Sequence, residues 1–99
     1  MSVITMYSTV TCPWCAHAEQ LLNKKGFSVQ RLRVDLQPEG MEKMFALTGK
    51  RSVPQIFIGQ HYVGGYDNLA ELDHQGRLDP LLAENLDDTA RLSPLVGTV

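Results

Sequence analysis

The sequence predicts an α/β fold in which a four-stranded mixed sheet is flanked by helices, with the elements in the order βαβαββα. Three observations carry this. Short runs of β-branched and aromatic residues alternate with segments of helical periodicity. A strand, a helix and a second strand fit within about 33 residues near the start, the span of a right-handed crossover between parallel strands. Two later strand segments are separated only by Gly59-Gln60, a two-residue hairpin turn. A chain of 99 residues with 43% hydrophobic and 20% charged residues can bury one core, and not two.

The elements follow in order. Val3-Ile4-Thr5-Met6-Tyr7 reads as the first strand, and the polar stretch Ser8-Thr9-Val10-Thr11 leads from it to the cysteines. A helix is expected over residues 13–25, with Pro13 in its first turn and Gly26 as its stop. Residues 28–35 read as the second strand, with Leu32, Val34 and Leu36 on one face and Arg31, Arg33 and Asp35 on the other. Gln37-Pro38-Glu39-Gly40 reads as a turn. A short amphipathic helix over residues 41–47 follows, its Met41, Met44 and Phe45 expected in the core and Gly49 ending it. Residues 53–58 and 61–63 form the hairpin, and a third helix spans residues 66–75 with Leu69 and Leu72 facing inward and Gly76 as its stop. Residues 81–86 add a last helical turn. The reading therefore divides the chain into a domain over residues 1–83 and a C-terminal extension over 84–99, part helical and loosely packed.

Charge narrows the function. The net charge is −2, against the basic footprint of a nucleic-acid binder. Residues 1–60 carry seven Lys/Arg against four Asp/Glu, and residues 61–99 carry two against seven, so the basic excess lies in the half that holds both cysteines. No segment approaches the ~20 apolar residues of a membrane helix. The opening Met1-Ser2-Val3 has neither a basic start nor a long apolar run, so the expectation is no export signal and a reducing, cytoplasmic compartment. Two cysteines there point to catalysis or metal binding, not to a structural staple.

Those two are Cys12 and Cys15, in Cys12-Pro13-Trp14-Cys15. A Cys-x-x-Cys motif beside a βαβ pattern signals a redox site. Cys12 falls at the start of the first helix, where unpaired backbone N–H groups and the positive end of the helix dipole meet its sulfur. That favours the thiolate, with a pKa lowered to roughly 3.5–7.5 in such motifs. The thiolate is the species that attacks disulfides. Cys15 shares a face with the core positions Ala18 and Leu22 and is expected to be more buried. Cys12 is thus the expected nucleophile and Cys15 the resolving thiol. Pro13 fixes the turn, and Trp14 lies at the surface beside the sulfur. Zinc needs four ligands, yet there is no second cysteine pair and His17, His61 and His74 belong to different elements. Ala16 stands where a haem-attachment motif has histidine, so no metal is expected.

Two further features adjoin the hairpin. Pro54 enters an otherwise good strand, where it removes a ladder donor. A cis Val53–Pro54 bond would answer this and expose the Val53 backbone to an extended peptide, while an ordinary trans strand start is equally open from the residues alone. Gly64-Gly65 precedes Tyr66-Asp67-Asn68 at a helix start, with Asp67 or Asn68 as the expected N-cap. Helix N–H groups there suit a carboxylate and Asp67 suits an ammonium group, although simple capping is the plainer reading.

Cys12-Pro13-Trp14-Cys15, the segment from Thr48-Gly49-Lys50-Arg51 through Ser52-Val53-Pro54-Gln55-Ile56-Phe57-Ile58, and Gly64-Gly65-Tyr66-Asp67-Asn68-Leu69 together resemble the dithiol glutaredoxins. The resemblance covers about residues 1–83. It implies a thioredoxin fold and a thiol–disulfide oxidoreductase that uses glutathione as co-substrate. On this resemblance Cys12 forms the mixed disulfide with glutathione, Val53 before a cis Pro54 pairs with its cysteinyl backbone, and Tyr66, Asp67 and Asn68 receive its γ-glutamyl end. Many relatives carry a lysine shortly before the first cysteine, a place that Ser8-Thr9-Val10-Thr11 leaves without a cation. Lys50 and Arg51 are the candidates to replace it, and Asn68 stands where many relatives have Asp. The partners implied are glutathione and glutathionylated or disulfide-containing proteins such as ribonucleotide reductase, with the chain itself a monomer. Two other readings share the motif: a glutaredoxin-like redoxin reduced by thioredoxin reductase, and a glutathione-assisted iron–sulfur binding module, which Pro13 and Cys15 both disfavour.

Overall fold

The computed structural model describes residues 3–85. Four strands and four helices follow one another as β1 (Ile4–Ser8), α1 (Pro13–Lys24), β2 (Val29–Arg33), α2 (Pro38–Thr48), β3 (Gln55–Ile58), β4 (His61–Gly64), α3 (Tyr66–His74) and α4 (Leu78–Asn85). The strands form one sheet in the order β2-β1-β3-β4. β1 runs parallel to β2 and antiparallel to β3, and β3 pairs antiparallel with β4 across Gly59-Gln60. This is the mixed four-stranded sheet that the periodicities predict.

Strand alternation sorts the side chains into two cores. Ile4 pairs with Ile58 and Met6 with Ile56, so all four point to one face. There they meet Cys15, Ala18 and Leu22 of α1, Leu69 of α3, and Leu78 and Leu82 of α4 in one buried cluster. The α1 residues recur at the i, i+3, i+7 spacing of a single helical stripe. On the other face Tyr7 packs with Val34 and Met44 of α2, flanked by Leu32, Met41 and Phe57. Burial raises the pKa of the Tyr7 hydroxyl.

Several expectations are corrected. α2 begins at Pro38, not after Gly40, because Pro38 occupies the first helical position, where no amide donor is needed. Of the expected Met41, Met44 and Phe45 core, only Met44 is fully buried; Phe45 is exposed, with the Arg51 guanidinium 4.3 Å above its ring. Leu36 is also exposed, because β2 ends at Arg33 and the chain turns before the alternation reaches it. α4 starts at Leu78, three residues before the expected turn, with Pro80 accommodated in its first turn. Lys25, at the end of α1, bridges Asp73 of α3 at 2.7 Å and Asp79 of α4 at 3.1 Å. Hydrogen bonds to Asp73 and then Asp79 raise its pKa. Of the expected extension, residues 86–99 lie outside the described residues. No helix among the described residues is long and apolar enough to cross a membrane.

Candidate active site

Sheet order places the two candidate motifs at one end of the molecule. Tyr7 near the end of β1 pairs with Gln55 at the start of β3. The loop that leaves β1 for Cys12 and the segment that enters β3 through Pro54 therefore meet at the same end of the two central strands.

Cys12 is the N-cap of α1, and Cys15 is joined to it in a disulfide. The Cys15 N–H donates to Cys12 Sγ at 3.1 Å. That amide is one of the donors a helix start leaves without an intrahelical partner, so the helix itself supplies a hydrogen bond to the sulfur. Such a bond favours the thiolate in the reduced form. Cys12 is half-buried while Cys15 has no exposed surface, as its place on the Ala18–Leu22 stripe requires. Trp14 is 55% exposed and stacks on Tyr66 of α3 at 5.5 Å, with His17 completing an aromatic trio.

The approach to Cys12 is tethered. Asp35 accepts from Val10 N–H at 3.2 Å and is gripped by Arg33 through two hydrogen bonds of 2.8 and 2.7 Å. The Arg33 guanidinium, helped by the Val10 N–H, holds the Asp35 carboxyl at about 2.

Opposite α1, the Val53–Pro54 bond is cis. Among the described residues, no backbone hydrogen bond involves Val53. A cleft of about 310 Å³ opens beside it, lined by Trp14, Lys50, Ser52, Val53, Pro54, Gln55 and the start of α3 from Gly65 to Asn68. Its size lies at the small end of small-molecule sites. Lys50 gives its wall a cation and Asp67 a carboxylate. The N-cap of α3 is Gly65, not Asp67 or Asn68 as expected from sequence. Asn68, three residues on, turns back so that its Oδ1 accepts from Gly65 N–H at 3.1 Å. Gly64 before it has φ +115, and a Cβ there would stand 2.5 Å from Asn68 Oδ1.

Of the residues singled out from sequence, Trp14, Lys50, Val53, Pro54, Tyr66, Asp67 and Asn68 all line this cleft. Cys12, Pro13 and Cys15 do not line it, and neither does Arg51, whose side chain lies over Phe45 instead. Ser52, Gln55 and Gly65 line it without having been named as binding residues from sequence. A polar residue such as Gln55 at the start of an apolar strand was the one available signal for them. Among the described residues no three His, Cys, Asp or Glu converge as a metal site would need. His17, His61 and His74 sit on α1, β4 and α3.

Known proteins match this arrangement. The family model described as Glutaredoxin matches residues 4–63. A glutaredoxin of Neisseria meningitidis serogroup B is 47% identical over 83 residues, covering 83% of this chain and 98% of its own. Glutaredoxin 3 of Escherichia coli is 44% identical over 82 residues, covering 83% and 99%. Among solved structures, a buckwheat glutaredoxin–glutathione complex superposes with a TM-score of 0.76 at 29% identity, covering 84% of this chain and 78% of the other. The solution structure of a Brucella melitensis glutaredoxin does so with a TM-score of 0.72 at 39% identity, covering 83% and 89%.

Proposed function

The chain belongs to the glutaredoxin family of thiol–disulfide oxidoreductases, and we propose that it draws its electrons from glutathione and works through Cys12 as nucleophile. The observation that carries the reading is the cleft beside α1. It offers a free backbone edge at Val53, a cation at Lys50, a carboxylate at Asp67 and the first turn of α3, whose N-cap Gly65 brings no side-chain acceptor. Glutathione is an extended peptide with a carboxylate at each end and an ammonium group at one, so each of these features has a counterpart in it. Val53 and Pro54 receive its cysteinyl backbone, and Tyr66, Asp67 and Asn68 receive its γ-glutamyl end. Lys50 meets its glycine carboxylate. Arg51, turned onto Phe45, is left out of this set.

Turnover then follows from thiol exchange. The Cys12 thiolate attacks the glutathione sulfur of a glutathionylated protein. The Cys12–glutathione disulfide forms, the protein–glutathione disulfide breaks, and the protein thiolate leaves and takes up a proton. A second glutathione thiolate attacks the same glutathione sulfur, which releases glutathione disulfide and returns the Cys12 thiolate. With a protein disulfide, such as that of ribonucleotide reductase, Cys12 first bonds to the substrate. Cys15 then displaces it, which leaves the Cys12–Cys15 disulfide. Two glutathiones reduce that bond. A reducing, cytoplasmic compartment and a monomeric state suit this cycle.

Glutathione-dependent reduction of a glutathionylated peptide tests the reading. Wild type should turn over, Cys12→Ser should be inactive, and Cys15→Ser should keep most of the activity. A wild type inactive with glutathione but active with NADPH and thioredoxin reductase would replace glutathione as the electron source.

A further inference from the structure

Gln55 is the one amide side chain buried among the described residues, at 3% exposure, and it lines the cleft. Both ends of it are engaged. Its Oε1 accepts from the Tyr62 hydroxyl, and its Nε2 donates to the Ser52 carbonyl at 3.0 Å and reaches Ser52 Oγ at 3.3 Å. Tyr62 comes from β4, one of the two edge strands of the sheet, with its ring 5.0 Å from Phe57 of β3. A chain of hydrogen bonds thus runs from the sheet edge, through Gln55, to the residue that precedes Val53.

We infer that Gln55, held by Tyr62, is a positioning residue that fixes Ser52 and so presents the Val53 backbone edge to the peptide of a glutathione moiety. The inference rests on the glutathione reading above and adds residues outside its contact set. Its physical basis is the cost of misplacing a buried amide. With both ends satisfied, Gln55 has a single favourable orientation. Without the Tyr62 hydroxyl its oxygen is buried and unpaired, and the amide gains reason to rotate away from Ser52. Val53 packs against both cores, but segment 52–54 has no other side-chain hydrogen bond among the described residues, so Gln55 alone fixes Ser52 through a directional contact. The Cys12 thiolate, whose hydrogen bond comes from α1, does not depend on this chain.

Tyr62→Phe removes the hydroxyl and keeps the ring on Phe57. Three quantities are to be measured: kcat and KM with a glutathionylated peptide, the rate of Cys12 alkylation by iodoacetamide in the reduced protein, and backbone amide order parameters at Ser52 and Val53. KM should rise roughly fivefold, while kcat and the alkylation rate hold and the order parameters fall. Gln55→Glu keeps an acceptor for Tyr62 but removes the donor to Ser52, and should raise KM at least as far. An unchanged KM with unchanged order parameters overturns the inference. So does a loss of kcat that tracks the alkylation rate, since Tyr62 would then act on the nucleophile. A wild type that fails with glutathione overturns the function reading, and the order parameters then still decide whether Tyr62 holds the segment.

Discussion

Two helix N-termini meet at the site, and they are capped in opposite ways. At α1 the cap is the sulfur of the proposed nucleophile: Cys12 Sγ accepts the Cys15 amide. At α3 the N-cap Gly65 has no side chain, and stability is recovered from the far side, where Asn68 reaches back to the Gly65 N–H. The first arrangement directs helix amides at a sulfur of the same chain. The second sets the first turn of α3 along the cleft wall, without a side-chain acceptor on the N-cap. On the proposed function, one terminus activates a group and the other receives one. The lesson is that a cap's position decides whether a helix dipole serves the protein or a ligand.

Substitutions at the α3 terminus and on the approach to α1 probe this contrast. The largest effect is expected at Gly64. Alanine there would have to adopt φ +115 and displace Asn68, which undoes the backward cap. A cost of about 2 kcal/mol is expected for the strained backbone, a fall in melting temperature of about 8 °C or more by calorimetry. KM for glutathionylated peptide should rise with it. An intermediate and more telling effect is expected at Gly65, whose φ of −90 any residue can adopt. Gly65→Ser would give α3 a forward cap like that of α1. Stability should rise by a few tenths of a kcal/mol, yet KM should increase about twofold or more, because the serine oxygen takes an amide the ligand would use. A stabilised variant with unchanged KM would mean that the α3 amides do not face the ligand.

The smallest effect concerns the approach to α1. Asp35 has its folded pKa held down to about 2, so its contribution is complete above the unfolded value near 3.9 and is lost as pH falls toward 2. Thermal melts from about pH 5 downward should show Asp35→Asn less acid-sensitive than wild type over that window. Parallel acid limbs would remove Asp35 as the tether of the Val10 loop.

The α1 terminus was legible in the sequence and the α3 terminus only in part. A Cys-x-x-Cys motif entering a helix through Pro13 states its own geometry, because everything that defines it lies within one turn. The burial of Cys15 follows from the Ala18 and Leu22 spacing. At α3 the sequence showed capping residues but not the direction of capping. Asp67 and Asn68 are good N-caps by type, and only the fold reveals that Gly65 starts the helix and Asn68 caps in reverse. Pro38 misled in the same way: a Pro-Glu-Gly turn signal and the first turn of a helix share their residues. The network of Lys25 with Asp73 and Asp79 joins elements distant in the chain, which local pattern does not encode, and that of Gln55 with Tyr62 spans the β3–β4 hairpin through side chains whose pairing the strand alternation does not state. For Phe45 the 3.6-residue stripe was read too broadly, since α2 meets the sheet along a line that buries Met44 alone.

The pairing of Tyr7 with Gln55 has a consequence for how the site comes into being. It stitches the end of the first strand, which delivers Cys12, to the start of the third, which delivers Pro54. The N-terminal βαβ half thus holds the proposed nucleophile, and the C-terminal ββα half most of the cleft wall. Neither half is a smaller enzyme that the other improves. Severed between them, the chain would yield two silent fragments, and redox turnover would return only on their reassembly.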